Sequence, residues 1–146
     1  AEGRGEKVSP LPLLSGCYLV LACPSVAVST AWAYNELDRS TVKLPPVDIK
    51  ALVTALRQGD LVQIVAAMAN SFEPVVMAHF HIINHIKQAL LAAGALAALM
   101  SGSGPTVYGV FTEQQQAKQA MAVLGTDVIT YLAQPVPVGA GRFPKE

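Results

Sequence analysis

Charge is scarce in this sequence: Asp, Glu, Lys and Arg together make up 14% of its 146 residues. Lys+Arg and Asp+Glu number 10 each, so the net charge is zero. No global field draws such a chain to nucleic acid or to an anionic membrane. Cysteine is nearly absent as well. Cys17 and Cys23 fall in one segment that reads as a strand, about 20 Å apart at ~3.3 Å per residue. A disulfide needs Cα atoms within about 7 Å, so free thiols in a core strand and a reducing compartment are expected. The sequence also lacks a long uninterrupted apolar run. Ala89 to Met100 is roughly half of the ~20 residues a membrane span requires. Ala1 to Lys7 has no signal-peptide apolar core. A Walker A loop, a dinucleotide-binding glycine fingerprint and a nucleophile elbow are all missing, and no carboxylates pair for acid–base work. By itself the chain carries no complete catalytic constellation.

What is abundant is apolar surface. Hydrophobic residues make up 52% and the mean hydropathy is +0.41, values that exclude disorder and point to a face meant for another domain or subunit. The length suits one domain over residues 1–146 with a proper core. Tyr18-Leu19-Val20-Leu21-Ala22 is apolar on both faces and reads as a central strand ended by Pro24. Ser29 or Thr30 caps a helix from Ala31 to Leu37. Asp48 caps a second helix that Gly59 stops, and Asp60 caps a third from Leu61 to Ala69. Pro74 to Ala93 reads as one long helix with Ile82, Ile83, Ile86 and Leu90 as its core stripe and Gly94 at its C′ position. A hairpin follows. Thr112 with Gln115 then forms a capping-box-like start to a helix ending at Leu124, and Val128 to Ala133 is the last strand. The order predicts an α+β fold: a two-layer, mostly antiparallel four-stranded sheet with helices on one face.

The hairpin connection, Ser101-Gly102-Ser103-Gly104-Pro105, is the most informative stretch. Two glycines around a serine let the backbone turn sharply and approach a neighbour closely. Exposed N–H groups in such a turn suit an anion such as phosphate, and a tight structural hairpin is the plainer alternative. His79, His81 and His85 invite a metal reading, but no cysteine cluster or His-Glu-x-x-His pattern accompanies them, and no metal site is expected. At the strand-to-helix corner Val26 to Tyr34, Trp32 reads as core. Tyr34 is open to either core packing or stacking on a base.

Three stretches taken together resemble a known family: Gly3-Arg4-Gly5-Glu6; Cys23-Pro24-Ser25-Val26 through Ser29-Thr30 to Tyr34; and Asn70-Ser71-Phe72-Glu73 followed by Gly94 and Met100 to Gly109. Their order and spacing are similar to those in the C-terminal half of the 4-diphosphocytidyl-2-C-methyl-D-erythritol kinases, of the GHMP kinase superfamily. The resemblance covers essentially the whole chain. It implies a ferredoxin-like domain on the substrate side of an enzyme of the non-mevalonate isoprenoid pathway. That enzyme transfers phosphate from ATP, with Mg²⁺, to the substrate's 2-hydroxyl. The family's catalytic residues and ATP-phosphate loop belong to an N-terminal half whose motifs are absent here, so a fragment without activity of its own is expected. The resemblance places Tyr34 on the cytosine ring of a cytidine-diphosphate-bearing small molecule and Thr30 beside it. It gives Ser101, Gly102, Ser103 and Gly104 the task of shaping the site beside the nucleotide loop. The implied partners are the missing N-terminal half or, through an exposed apolar face, a second copy. Neither nucleic acid nor membrane is expected, and the implied compartment is the bacterial cytoplasm or the plastid stroma. Another GHMP kinase, of the homoserine or mevalonate type, and a non-enzymatic α+β ligand-binding or oligomerisation module remain the alternatives.

Overall fold

The computed structural model describes residues 11–42 and 48–137. The stretch Gly3 to Glu6, which contributes to the resemblance, lies outside them. The elements run β1 (Tyr18–Pro24), α1 (Thr30–Arg39), α2 (Ile49–Gln58), α3 (Leu61–Ala66), α4 (Glu73–His79), α5 (His81–Ala92), β2 (Ala97–Met100), β3 (Val107–Phe111), α6 (Gln114–Val123) and β4 (Val128–Ala133).

The four strands form one sheet in the order β2-β3-β1-β4, and every neighbouring pair is antiparallel. β1, apolar on both faces, therefore sits inside the sheet as its pattern predicts. Its register pairs Val20 with Gly109 and Leu132, and Ala22 with Val107 and Thr130. Side chains alternate across a strand, so Val20, Ala22, Val107, Phe111 and Val128 share one face. That face receives α5 and α6, which pack on the central strands. Ile83, Ile86 and Leu90 of α5 and Ala117 and Ala120 of α6 are buried in the same cluster. Burying one such large side chain is worth about 1.5–3 kcal/mol. Gly109 permits the close fit, since a Cβ there would lie 3.1 Å from the Phe111 ring and 3.4 Å from Leu90. This is the expected α+β fold.

The helix caps follow from the sequence. Ser29 accepts from the Trp32 amide at 3.3 Å, Asp48 from Ala51 at 3.0 Å and Asp60 from Gln63 at 3.0 Å. Gly59 ends α2 in the left-handed conformation. Three expectations need correction. The helix expected over Pro74 to Ala93 is two helices, broken at Phe80, whose backbone leaves the helical region at φ −113°, ψ 77°. The Phe80 and His79 rings both pack edge-on against Trp32, at 5.5 and 4.9 Å between centroids, and hold the chain at that bend. The third helix ends at Ala66, short of Ala69. The last helix is capped at Glu113 with no side-chain bond, so the Thr112 capping box does not form. Both cysteines are free, as expected.

Candidate functional site

Three segments converge at one end of the sheet. β1 finishes at Pro24 and the chain turns into α1 through Ser29 and Thr30. The β2–β3 connection reaches the same point from the other side, and Thr30 Oγ1 lies 3.0 Å from Ser103 Oγ, a hydrogen bond across 73 positions of sequence. The third segment is Asn70 to Phe72, just before α4. Asn70 Nδ2 donates to the carbonyl of Met100 at 2.6 Å and to that of Gly102 at 2.8 Å. One side chain thus holds both sides of the turn's entry.

The turn itself is closed by Ser101 N donating to Thr106 O at 2.8 Å and Gly104 N donating to Ser101 O at 2.9 Å. Gly102 and Gly104 have φ of +54° and +89°, which other residues rarely adopt. At Gly104 a Cβ would also sit 2.7 Å from Met100 Sδ. The glycines are therefore required by the shape of this turn. At its far side Cys23 Sγ approaches Thr106 Oγ1 at 3.5 Å. A cavity of about 400 Å³ opens beside the turn, with Asn70, Phe72, Ser101, Gly102 and Tyr108 in its wall.

Glu73 supports this arrangement from below. Its Oε1 accepts from the Met100 amide on the sheet edge at 2.7 Å, and its Oε2 from Lys87 Nζ at 2.6 Å. Its charge also reaches Tyr108. The Tyr108 hydroxyl is raised above the usual tyrosine range, first by burial and then by the neighbouring Glu73 carboxylate. Burial alone raises the Cys17 thiol.

Tyr34 is 55% exposed on α1, one turn on from Thr30. Its ring stands edge-to-face on Phe72, 4.9 Å between centroids and 85° between planes. Trp32, on the same helix, packs against the core. The structure therefore brings Thr30, Tyr34 and the Ser101–Gly104 turn to one surface. Asn70, Phe72 and Glu73 belong to the family-like stretch, but the sequence alone assigns them no role. The usable signal is an asparagine two residues before the helix N-cap, Phe72, a pattern that makes an Asx turn. His81 and His85 are exposed on α5, and His79 lies against Trp32. Among the described residues, no three His, Cys, Asp or Glu side chains gather in a way that could hold a metal ion. Nor is any helix there long and apolar enough to cross a membrane.

Residues 52–128 match the family described as GHMP kinases C terminal. A 4-diphosphocytidyl-2-C-methyl-D-erythritol kinase of Listeria monocytogenes serotype 4a is 44% identical over 119 residues, which cover 82% of this chain and 40% of the relative. The chain thus spans about 40% of the length of such curated relatives. Among solved structures, a 4-(cytidine 5′-diphospho)-2C-methyl-D-erythritol kinase superposes with a TM-score of 0.71 at 25% identity, covering 92% of this chain and 48% of that one. A homoserine kinase from Cytophaga hutchinsonii gives 0.68 at 25% identity, covering 88% and 45%.

Proposed function

The chain belongs to the GHMP kinases as a C-terminal domain, and from that premise we propose that it forms the substrate-side part of a kinase that phosphorylates 4-diphosphocytidyl-2-C-methyl-D-erythritol on its 2-hydroxyl. The observation that carries the reading is Tyr34: an exposed aromatic ring, braced from the side and set one helical turn from the Thr30–Ser103 contact. A ring so placed suits one face of a flat base. The fold neighbours include kinases of both the diphosphocytidyl and the homoserine type, so the choice between them rests on the sequence relatives and on that ring.

Phosphoryl transfer depends on holding reactants in line and on stabilising charge. In this reading Tyr34 stacks on the cytosine, Thr30 lies beside the substrate, and the Ser101–Gly104 turn shapes the wall of the site. ATP with Mg²⁺ would supply the transferred phosphoryl group and neutralise its charge. The groups that hold them belong, in this proposal, to the remaining part of the enzyme, which is the partner of this domain. The curated relatives are bacterial, and we place the reaction in the cytoplasm.

Titration with cytidine monophosphate, followed by Trp32 fluorescence or by NMR, tests the reading. Tyr34→Ala is expected to weaken binding by about tenfold or more, since base–aromatic stacking contributes ~1–3 kcal/mol. Homoserine should give no response. Equal binding by Tyr34→Ala, or a response to homoserine alone, would rule the assignment out.

A further inference from the structure

Tyr34 owes its orientation to residues far away in sequence. An exposed aromatic on a helix surface ordinarily samples several rotamers, and fixing it on binding costs affinity. Here Phe72 meets the Tyr34 ring edge-to-face, 4.9 Å between centroids. Phe72 is only partly buried and also packs against the core. Its backbone is fixed in turn: the Phe72 amide donates to Asn70 Oδ1 at 2.9 Å. The same Asn70 side chain donates to Met100 O and Gly102 O at 2.6 and 2.8 Å. Ring, brace and turn are therefore linked through one asparagine. The link runs parallel to the direct Thr30–Ser103 bond, which ties the start of α1 to the turn.

We propose that Phe72 is a positioning residue for Tyr34, and that Asn70 sets the spacing between the Tyr34 ring and the Ser101–Gly104 turn, so that one ligand meets both at a fixed separation. The inference rests on the reading that Tyr34 stacks on a base. A residue that only filled core space would affect stability, and with it every ligand equally. A brace for the ring affects recognition of the base and leaves the sugar phosphate alone.

The test uses the full 146-residue chain with cytidine monophosphate and with ribose 5-phosphate, which lacks the base. Phe72→Leu is expected to weaken cytidine monophosphate binding about two- to tenfold, the scale of one immobilised side chain or one aromatic pair. Ribose 5-phosphate binding should be unchanged. Phe72→Tyr keeps the ring edge and should restore affinity to within about twofold of the original. Phe72→Leu should cause no further loss once Tyr34→Ala is present. NMR signals of the Tyr34 ring in the free chain should shift and broaden in Phe72→Leu. Should that variant not fold, Asn70→Ser, which removes the ties to the two carbonyls, should show the same base-selective loss. A folded Phe72→Leu that binds cytidine monophosphate normally, or that loses both ligands equally, overturns the inference and leaves Tyr34 stacking intact. Wild-type chain that binds ribose 5-phosphate but gains nothing from the base overturns the stacking reading, and this inference with it.

Discussion

Tyr108 stands where the sheet meets the cavity, opposite Leu21 on β1 and Leu99 on β2. Its hydroxyl is harder to ionise in the fold than in the unfolded chain, through burial and then through Glu73. A group whose pKa is raised in the fold contributes stability that is complete below its unfolded value and is lost as pH climbs through the folded one. Here that window opens above the ordinary tyrosine value of 10.0. The urea midpoint is expected to fall as pH rises past about 10, and to fall less in Tyr108→Phe. An identical alkaline decline in both proteins would remove Tyr108 as its source.

Among the elements, α4 does more than its length suggests. It spans only Glu73–His79, yet its first residue caps the free edge of β2 through the Met100 amide and pairs with Lys87 on α5. Both partners of the ion pair are largely shielded, with side-chain exposures of 22% for Lys87 and 13% for Glu73. Removing the carboxylate leaves an unsatisfied edge N–H and an unpaired ammonium. Glu73→Ala is expected to destabilise the chain by about 1–3 kcal/mol in chemical denaturation. Lys87→Ala should cost less, because the Met100 bond survives it; the reverse order would show that stranding the shielded Glu73 carboxylate costs more than opening the sheet edge. The same helix ends at Phe80 because two rings at that point pack on Trp32.

At the scale of the whole molecule, the composition predicted apolar surface beyond the core, and Ile129 and Tyr131 on β4 are 57% and 56% exposed on the sheet face away from α5 and α6. We expect the isolated chain to bind a hydrophobic dye, and the paired change Ile129→Lys and Tyr131→Lys to lower that signal severalfold. An unchanged signal would place the sticky surface elsewhere. Much of the fold was legible because its signals are local. The both-face apolar pattern of Tyr18 to Ala22 put β1 inside the sheet, and Asp48, Asp60 and Gly59 act within a few residues of themselves. The glycine turn was legible for the same reason, since positive φ is decided at the residue that adopts it. The break at Phe80 was not, because helical periodicity runs straight through it and only the contact with Trp32 opposes it. Nor were the roles of Asn70, Phe72 and Glu73, whose contacts with Met100 and Tyr34 span 27 to 38 positions. By itself the sequence determined the elements, their caps and the turn, because those follow from short-range sterics and hydrogen bonding. Tertiary structure decided which ring braces Tyr34, which carboxylate closes the sheet edge and which serine meets Thr30, because such pairings exist only once packing of the apolar faces has set the distances between segments.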